Sequence, residues 1–372
     1  MDNTFDKEIL DWLRLIRSPR VGPRMFFNLL SIFGSPKNAL SELSNLAKAA
    51  GGSNKPCSIS EAEKEIIECQ NFGAQILISS MPNYSKLLKE IPDFPPLLIV
   101  KGNIDFLNKR SIAIVGSRNA SISGTVNAQK FSDEISRAGY VIVSGMARGI
   151  DTAAHKAALE NGTIGIIAGG IDNIYPKENR ALYEKMYTKG LIVTEYKIGS
   201  APLPNNFPRR NRIISGISIA TVIIEASLKS GAMITANSAV EQGRDVFAVP
   251  NSPGSLNTGA NLLIKKGASL VESGYDVLSE LSYNTRFQKD LFSSDVFNEF
   301  KMSNTSIPSD YELISVRKKL LPKLSYSPVS VGQISSVLGE DIVVVNYVLL
   351  ELELAGKIER LYNGNVVLSS KE

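Results

Sequence analysis

The pattern of apolar and polar positions changes character twice along the chain. Up to about residue 80 the apolar residues fall at helical spacing, as in "EILDWLRLI" and "MFFNLLSIF", and the spacing breaks at "SPRVGP" and "GSPKN". Short amphipathic helices are expected there. Between two of them, Val21-Gly22-Pro23 resembles the turn of a helix-hairpin-helix, which can present backbone amides to a phosphate, although an ordinary helix-helix turn is the plainer reading. The proline-rich, then strand-like segment "IPDFPPLLIVKGNIDFLNKR" leads onward. From Ser111 the segments "SIAIV", "YVIVS", "TIGIIA", "LIVTE", "ATVIIEA" and "DVFAVP" are continuous apolar runs alternating with helical stretches. Repeated βα units need that arrangement, because a parallel sheet is covered on both faces. An α/β domain on one doubly wound, mainly parallel sheet follows.

Residues 282–308 lose the periodicity and read as a linker. Helical stretches around "ELISVRKKLL", "SVGQISSVL" and "IVVVNYVLLELELAG" then precede a hairpin "KIERLYNGNVVLS" turning at Asn363-Gly364, and three helices with a wing describe a winged helix. The expected domains are an N-terminal helical domain at 1–84, the sheet domain at 85–281, the linker, and the winged helix at 309–372.

Composition narrows the chemistry mainly by exclusion. A chain of 372 residues with 43% apolar content supports two or three globular domains, and its net charge of +4 is too small to indicate nucleic acid by itself. The two cysteines, Cys57 and Cys69, have no metal-ligand spacing, which suits a reducing compartment and makes a cytoplasmic location the expectation. The acidic first residues and the absence of any apolar run of about 18 residues argue against secretion and membrane spanning. A single histidine, His155, removes most Ser-His-Asp and multi-histidine metal chemistry. No catalytic residue, metal or cofactor is expected.

In an open parallel sheet, ligands bind beyond the carboxyl ends of the strands, where loops and helix N-termini converge. After the first strand come Gly116, Ser117 and Arg118, which either cradle a phosphate or simply make a tight strand-helix turn. The next loop, "SGMARGID", adds Ser144, Gly145 and Arg148 ahead of a helix near Asp151, which is read with His155 as a capping and packing residue. Gly169-Gly170 either opens space for a sugar or base or closes a turn. In "NFPRRNRIISG", Phe207 precedes Arg209, Arg210, Asn211 and Arg212 at a helix start, where three guanidiniums sit badly against the positive dipole end and call for an anionic partner. The aromatic beside them can stack on an unpaired base. Gly231 opens a further helix N-terminus, and Lys265 lies near the same edge, where a solvated lysine on a packed helix is the plainer reading.

The blocks "VGSR", "SGMARGIDTAAH", "FPRRNRIISG", "VIIEASLKSGAMITA", "GRDVFAVP" and "GANLLIKKGA", in this order, closely resemble the DNA-processing protein A (DprA/Smf) family over residues 85–281. The resemblance implies a Rossmann-like domain flanked by an N-terminal helix-hairpin-helix (SAM-like) domain and a C-terminal winged helix. It implies single-stranded DNA binding and protection, loading of the recombinase RecA during transformation or recombination, and a homodimer. Carried onto this chain, the DNA pocket would use Gly116, Ser117, Arg118, Ser144, Gly145, Phe207, the basic cluster after it, and Gly231, with Arg118, Phe207 and Arg212 foremost.

A nucleoside-monophosphate phosphoribohydrolase-like enzyme on a related fold is the competing reading. Its "PGGxGTxxE" loop is replaced by "SLKSGAMITANSAVE", which leaves Glu225 and Glu241 as possible acids better explained by capping, loop hydrogen bonds or a solvated face. A dinucleotide-dependent oxidoreductase fits less well, because Gly-Ser-Arg-Asn replaces G-x-G-x-x-G and no acid closes the second strand. The candidate recognition helix of the winged helix carries Asp341, Glu351 and Glu353 and no cation before Lys357, so a protein-contact or regulatory role is expected of it.

Overall fold

A computed structural model describes residues 6–252, 258–291, 308–361 and 364–369. The chain divides into two compact units, one formed by residues 1–64 with 298–372 and the other by residues 65–297.

The first unit opens with three helices, α1 (Lys7–Arg17), α2 (Pro23–Phe33) and α3 (Pro36–Ala49). Asp6 and Ser35 cap α1 and α3 by accepting amide hydrogen bonds, and prolines preset the first turns of α2 and α3. The apolar spacing becomes a small core of Trp12, Leu13, Phe26, Leu29 and Leu43. A fourth helix, α4 (Ile59–Asn71), carries the chain into the second unit.

The second unit is a nine-stranded sheet. Its strands are β1 (Gln75–Ile78), β2 (Leu97–Gly102), β3 (Ser111–Val115), β4 (Val141–Ser144), β5 (Thr163–Ile166), β6 (Leu191–Thr194), β7 (Ala220–Ile223), β8 (Asp245–Ala248) and β9 (Ser269–Leu270). They lie in the order β1-β2-β6-β5-β4-β3-β7-β8-β9, parallel from β6 to β9, with β2 and β1 antiparallel at one edge. The expected boundary at residue 85 falls after β1, because β1 pairs with β2 through the register Gln75 to Val100 and belongs to the sheet. Successive helices α5 (Ile122–Arg137), α6 (Ile150–Ala158), α7 (Arg180–Lys189), α8 (Asn206–Ile217), α9 (Gly231–Glu241), α10 (Gly259–Lys265) and α11 (Gly274–Leu291) cover it. One face buries Phe131, Ile135 and Ile142, and the other Leu98, Ile164, Val193 and Ile213, so the six apolar runs are strands with two buried faces. Helix α11 continues to Leu291, into the segment expected as a linker, and the rest of that segment, 292–307, lies outside the described residues.

The chain builds β3, β4, β5 and β6 outward in one direction and returns through α8 to place β7 on the other side of β3. This reversal is the topological switch point, and the crevice beyond the carboxyl ends of β3 and β7 is where such sheets bind ligands.

The first unit closes with α12 (Asp310–Leu320), α13 (Val331–Leu338), α14 (Ile342–Leu354) and the two-stranded wing β10 (Ile358–Arg360) and β11 (Val366–Leu368). That is the expected winged helix. Asn363 of the expected hairpin turn lies outside the described residues. Among the described residues no helix is long and apolar enough to cross a membrane, and no group of His, Cys, Asp or Glu could hold a metal ion.

Candidate nucleic-acid interface

Two cavities of about 350 and 600 Å³ open at the switch point and share Arg118, Ala147, Tyr175, Phe207 and Arg210. The larger is lined by Gly116, Ser117 and Arg118 after β3, by Asp151, by Pro208 and Asn211 on α8, and by Ser230, Gly231 and Thr235 at the start of α9. The smaller reaches behind it to Gly145, Arg148, Gly169, Asn173, Tyr175 and Pro202.

The loops are held in place by their own residues. Gly149 adopts φ 76°, and a Cβ there would lie 2.3 Å from the Ser117 carbonyl oxygen, so only glycine lets the loops after β3 and β4 touch. Met146, a buried non-glycine at φ 57°, is secured by Asn179, whose Nδ2 donates to its carbonyl at 2.9 Å. The Asp151 carboxylate accepts from the amides of Gly145 at 3.0 Å and Ala147 at 3.3 Å. It sits at the second position of α6, whose N-cap is Gly149, so it braces the loop rather than capping the helix as the sequence suggests. Burial pushes the Asp151 carboxyl up, and the nearby Arg210 guanidinium partly offsets this. Glu225, also buried, accepts from the Ser121 amide at 3.0 Å and from its hydroxyl, fixing the start of α5. Both of its oxygens are thereby engaged.

The basic cluster on α8 divides in three directions. Arg209 is exposed and lines neither cavity. Arg210 is buried and lines the floor of both cavities, donating from Nη1 to the carbonyls of Gly145 at 2.6 Å and of Ile166, and from Nε to Asn211 Oδ1 at 3.2 Å. Arg212 points away and lines neither cavity: Nη2 meets Glu195 at 2.5 Å and Nε meets Asp93 at 3.4 Å. Burial disfavours its charge, and the carboxylates of Glu195 and Asp93 outweigh that, raising its pKa above the ordinary value. The anionic compensation that the sequence demands of three neighbouring guanidiniums is thus supplied, for two of them, by the protein itself.

Three exposed cations line the cavities, Arg118, Arg148 and Lys177, from the loops after β3, β4 and β5 in turn. Arg118 lies over the Phe207 ring at 5.2 Å, and Phe207 packs against Tyr175 with centroids 5.5 Å apart and planes at 55°. Arg148 is 3.8 Å from Glu178 with both side chains exposed, too loose a pair to neutralise it. On the opposite wall the first amides of α9 have no intrahelical acceptor, and the buried Ser230 Oγ has no hydrogen-bond partner among the described residues. The mouth therefore combines guanidiniums, a helix N-terminus and a half-exposed aromatic pair, a combination suited to a chain of phosphates with unpaired bases.

Of the other residues singled out in the sequence, Ser144 is buried with its hydroxyl on the Ile114 carbonyl at 2.6 Å, and exposed Lys265, near the end of α10, lines neither cavity. Asn211 donates to the Gly231 carbonyl at 3.1 Å and ties α8 to α9. His155 is buried with Nδ1 2.7 Å from the Thr163 hydroxyl, and burial, aided by Arg210, pushes its pKa down to about 3. Tyr175 was legible only as an aromatic before a proline in "IDNIYPKEN", downstream of Gly169-Gly170.

Comparison with known proteins places these features in a family. Residues 75–282 match the family model described as DNA recombination-mediator protein A, residues 6–67 the DprA-like N-terminal HHH domain, and residues 305–364 the DprA winged helix domain. The chain is 46% identical to the DNA processing protein DprA of Streptococcus pneumoniae over 199 residues, covering 53% of this chain and 70% of that protein. It is 36% identical to the protein Smf of Synechocystis over 324 residues, covering 79% of this chain and 80% of that protein. Among solved structures, S. pneumoniae DprA superimposes with a TM-score of 0.60 at 35% identity, covering 72% of this chain and 95% of that one. DNA processing protein A of Helicobacter pylori, described for its single-stranded DNA binding mode, gives 0.52 at 29% identity, covering 57% and 96%.

Proposed function

This chain belongs to the DNA recombination-mediator protein A (DprA/Smf) family, and we propose that it binds and protects single-stranded DNA along the mouth of the switch-point crevice and assists loading of the RecA recombinase. The observation that carries the binding reading is the gathering of Arg118, Arg148 and Lys177 around the cavities that hold the Phe207–Tyr175 pair, with the α9 N-terminus lining the larger one. Guanidiniums and amides grip successive phosphates while an aromatic ring stacks on a base. Binding is an equilibrium in which no bond is made or broken. A homodimer would set two such mouths on one strand and raise avidity where the strand spans both.

A phosphoribohydrolase-like activity has less support, since Glu225 is committed to Ser121 and the loop beside it lacks that family's glycine pattern. The test is a fluorescence-anisotropy titration of the full chain with a labelled oligonucleotide of about 30 nucleotides, single-stranded and duplex, at two salt concentrations. Salt-sensitive preference for the single strand is expected. Failure to bind either form would end this reading and make nucleoside monophosphates the next candidates. RecA loading is tested by whether the protein speeds RecA filament growth on a strand covered by a single-strand-binding protein, and no acceleration would remove that part.

A further inference from the structure

The sequence of α14, "IVVVNYVLLELEL", is apolar nearly all round, and such a helix needs cover on more than one side. Nine of its thirteen residues are buried. At about 100° per residue, Val344, Val348 and Leu352 define one face and Tyr347, Leu350 and Leu354 another, roughly a third of a turn away. The winged helix's own α12, α13 and β10 pack on α14, and so does α3 of the N-terminal helices.

The contact is close at the C-terminal end of α14. A Cβ at Gly52 would lie 2.6 Å from the Ala355 Cβ and 2.8 Å from its carbonyl oxygen, so the two backbones meet there. Arg20, in the left-handed region at φ 62°, donates from Nη1 to Leu354 O and to Ser53 O, both at 3.2 Å, and so places a cation on the negative end of α14. Gly356, at φ 77°, leaves room for that guanidinium. The carboxylates of α14 are engaged too: Glu351 takes a bidentate pair from Arg317 at 2.6 and 2.8 Å, and Glu353 pairs with Arg360 at 3.2 Å within the field of Arg24 from α2. The loop ahead of α2, where an amide turn could have met a phosphate, is stitched inward, with Asn54 donating to the Pro19 carbonyl at 2.7 Å and Ser18 accepting from the Cys57 amide at 3.0 Å.

We propose that the winged helix is a docking module for the chain's own N-terminal helices. Helix α14 takes α3 and the Arg20 turn where a DNA-reading winged helix takes the major groove, and the two ends of the chain fold as one cooperative domain. The test is hydrogen-deuterium exchange on the full chain. Gly52→Leu, which wedges the backbones apart, is expected to raise exchange in 342–355 and 36–49 together by about tenfold, with strands 111–115 and 141–144 unchanged. Arg20→Ala introduces no bulk and is expected to do the same by about threefold. Adding duplex DNA to the unmodified protein should leave exchange in 342–355 as it was. Unaltered exchange in both variants, or duplex-induced protection of α14, would overturn the proposal.

Discussion

Arg118 and Arg212 stand close in the sequence argument and far apart in the structure, and their alanine variants should behave oppositely. The Arg212 side chain is 10% exposed, Glu195 10% and Asp93 26%. Removing one partner of a buried ion pair leaves the other charge unpaired and costs about 3–5 kcal/mol, and the partial exposure of Asp93 favours the lower half of that range. For a unit of this size, residues 65–297, each kcal/mol moves Tm by about 2–4 °C, so Arg212→Ala should melt about 6–16 °C lower. Below that transition its salt slope for single-stranded DNA should match the parent. Arg118→Ala removes an exposed cation and its contact with Phe207, so Tm should hold while the slope falls by about 0.7 log units per log salt. The assay is differential scanning fluorimetry beside anisotropy titrations at several salt concentrations. The reasoning fails if Arg212→Ala keeps the parental Tm and loses the slope instead.

The remaining expectations use the same site and its supports. Phe207→Ala should weaken binding by about 1–3 kcal/mol, the worth of one stacked base, while leaving the salt slope intact, and a changed slope would point to a displaced phosphate contact. Gly149→Ala sets a Cβ against Ser117 O in a backbone conformation alanine resists, so it should lose binding and stability together, and a variant with parental melting and affinity would contradict the loop packing. Because His155 titrates near 3 when folded and about 6.5 when unfolded, the unfolded state binds the extra proton between those values. Stability should therefore fall as pH drops below 6.5, with this group contributing at most about 1.4 kcal/mol per pH unit. Subtracting the unfolding free energies of a His155→Gln variant should isolate that slope, and identical pH profiles would show that His155 is not held neutral.

The fold was legible because the strands from Ser111 to Ala248 are buried at every position but Asp245 and so announce themselves as continuous apolar runs, while Gly and polar turns mark the ligand-bearing ends. The antiparallel edge was less visible. Gln75–Ile78 is a four-residue strand with half of it uncovered, and nothing in its spacing separates it from the preceding helix. Within the site, Arg118 and Arg148 were visible by position, Lys177 was not, and the fates of the α8 arginines were hidden. Whether Arg210 and Arg212 face solvent or carboxylates depends on Asp151, Glu195 and Asp93, which sit elsewhere in sequence and meet α8 only through the sheet. Tyr175 was hidden for the same reason, since its pairing with Phe207 joins the loop after β5 to the start of α8. The acidic residues of α14 were visible, but not that Glu351 and Glu353 are met by Arg317 and Arg360 of the same winged helix, nor that α3 lies against it.

The central claim is that exposed cations from three loops hold a single strand at the crevice mouth. It is tested most directly by the salt dependence of single-strand binding in the triple variant Arg118→Ala, Arg148→Ala, Lys177→Ala against the parent, with melting followed in parallel. The account predicts an unchanged Tm and a slope reduced by about 2 log units per log salt, three phosphate contacts at about 0.7 each. A folded triple variant with the parental affinity and slope would contradict it.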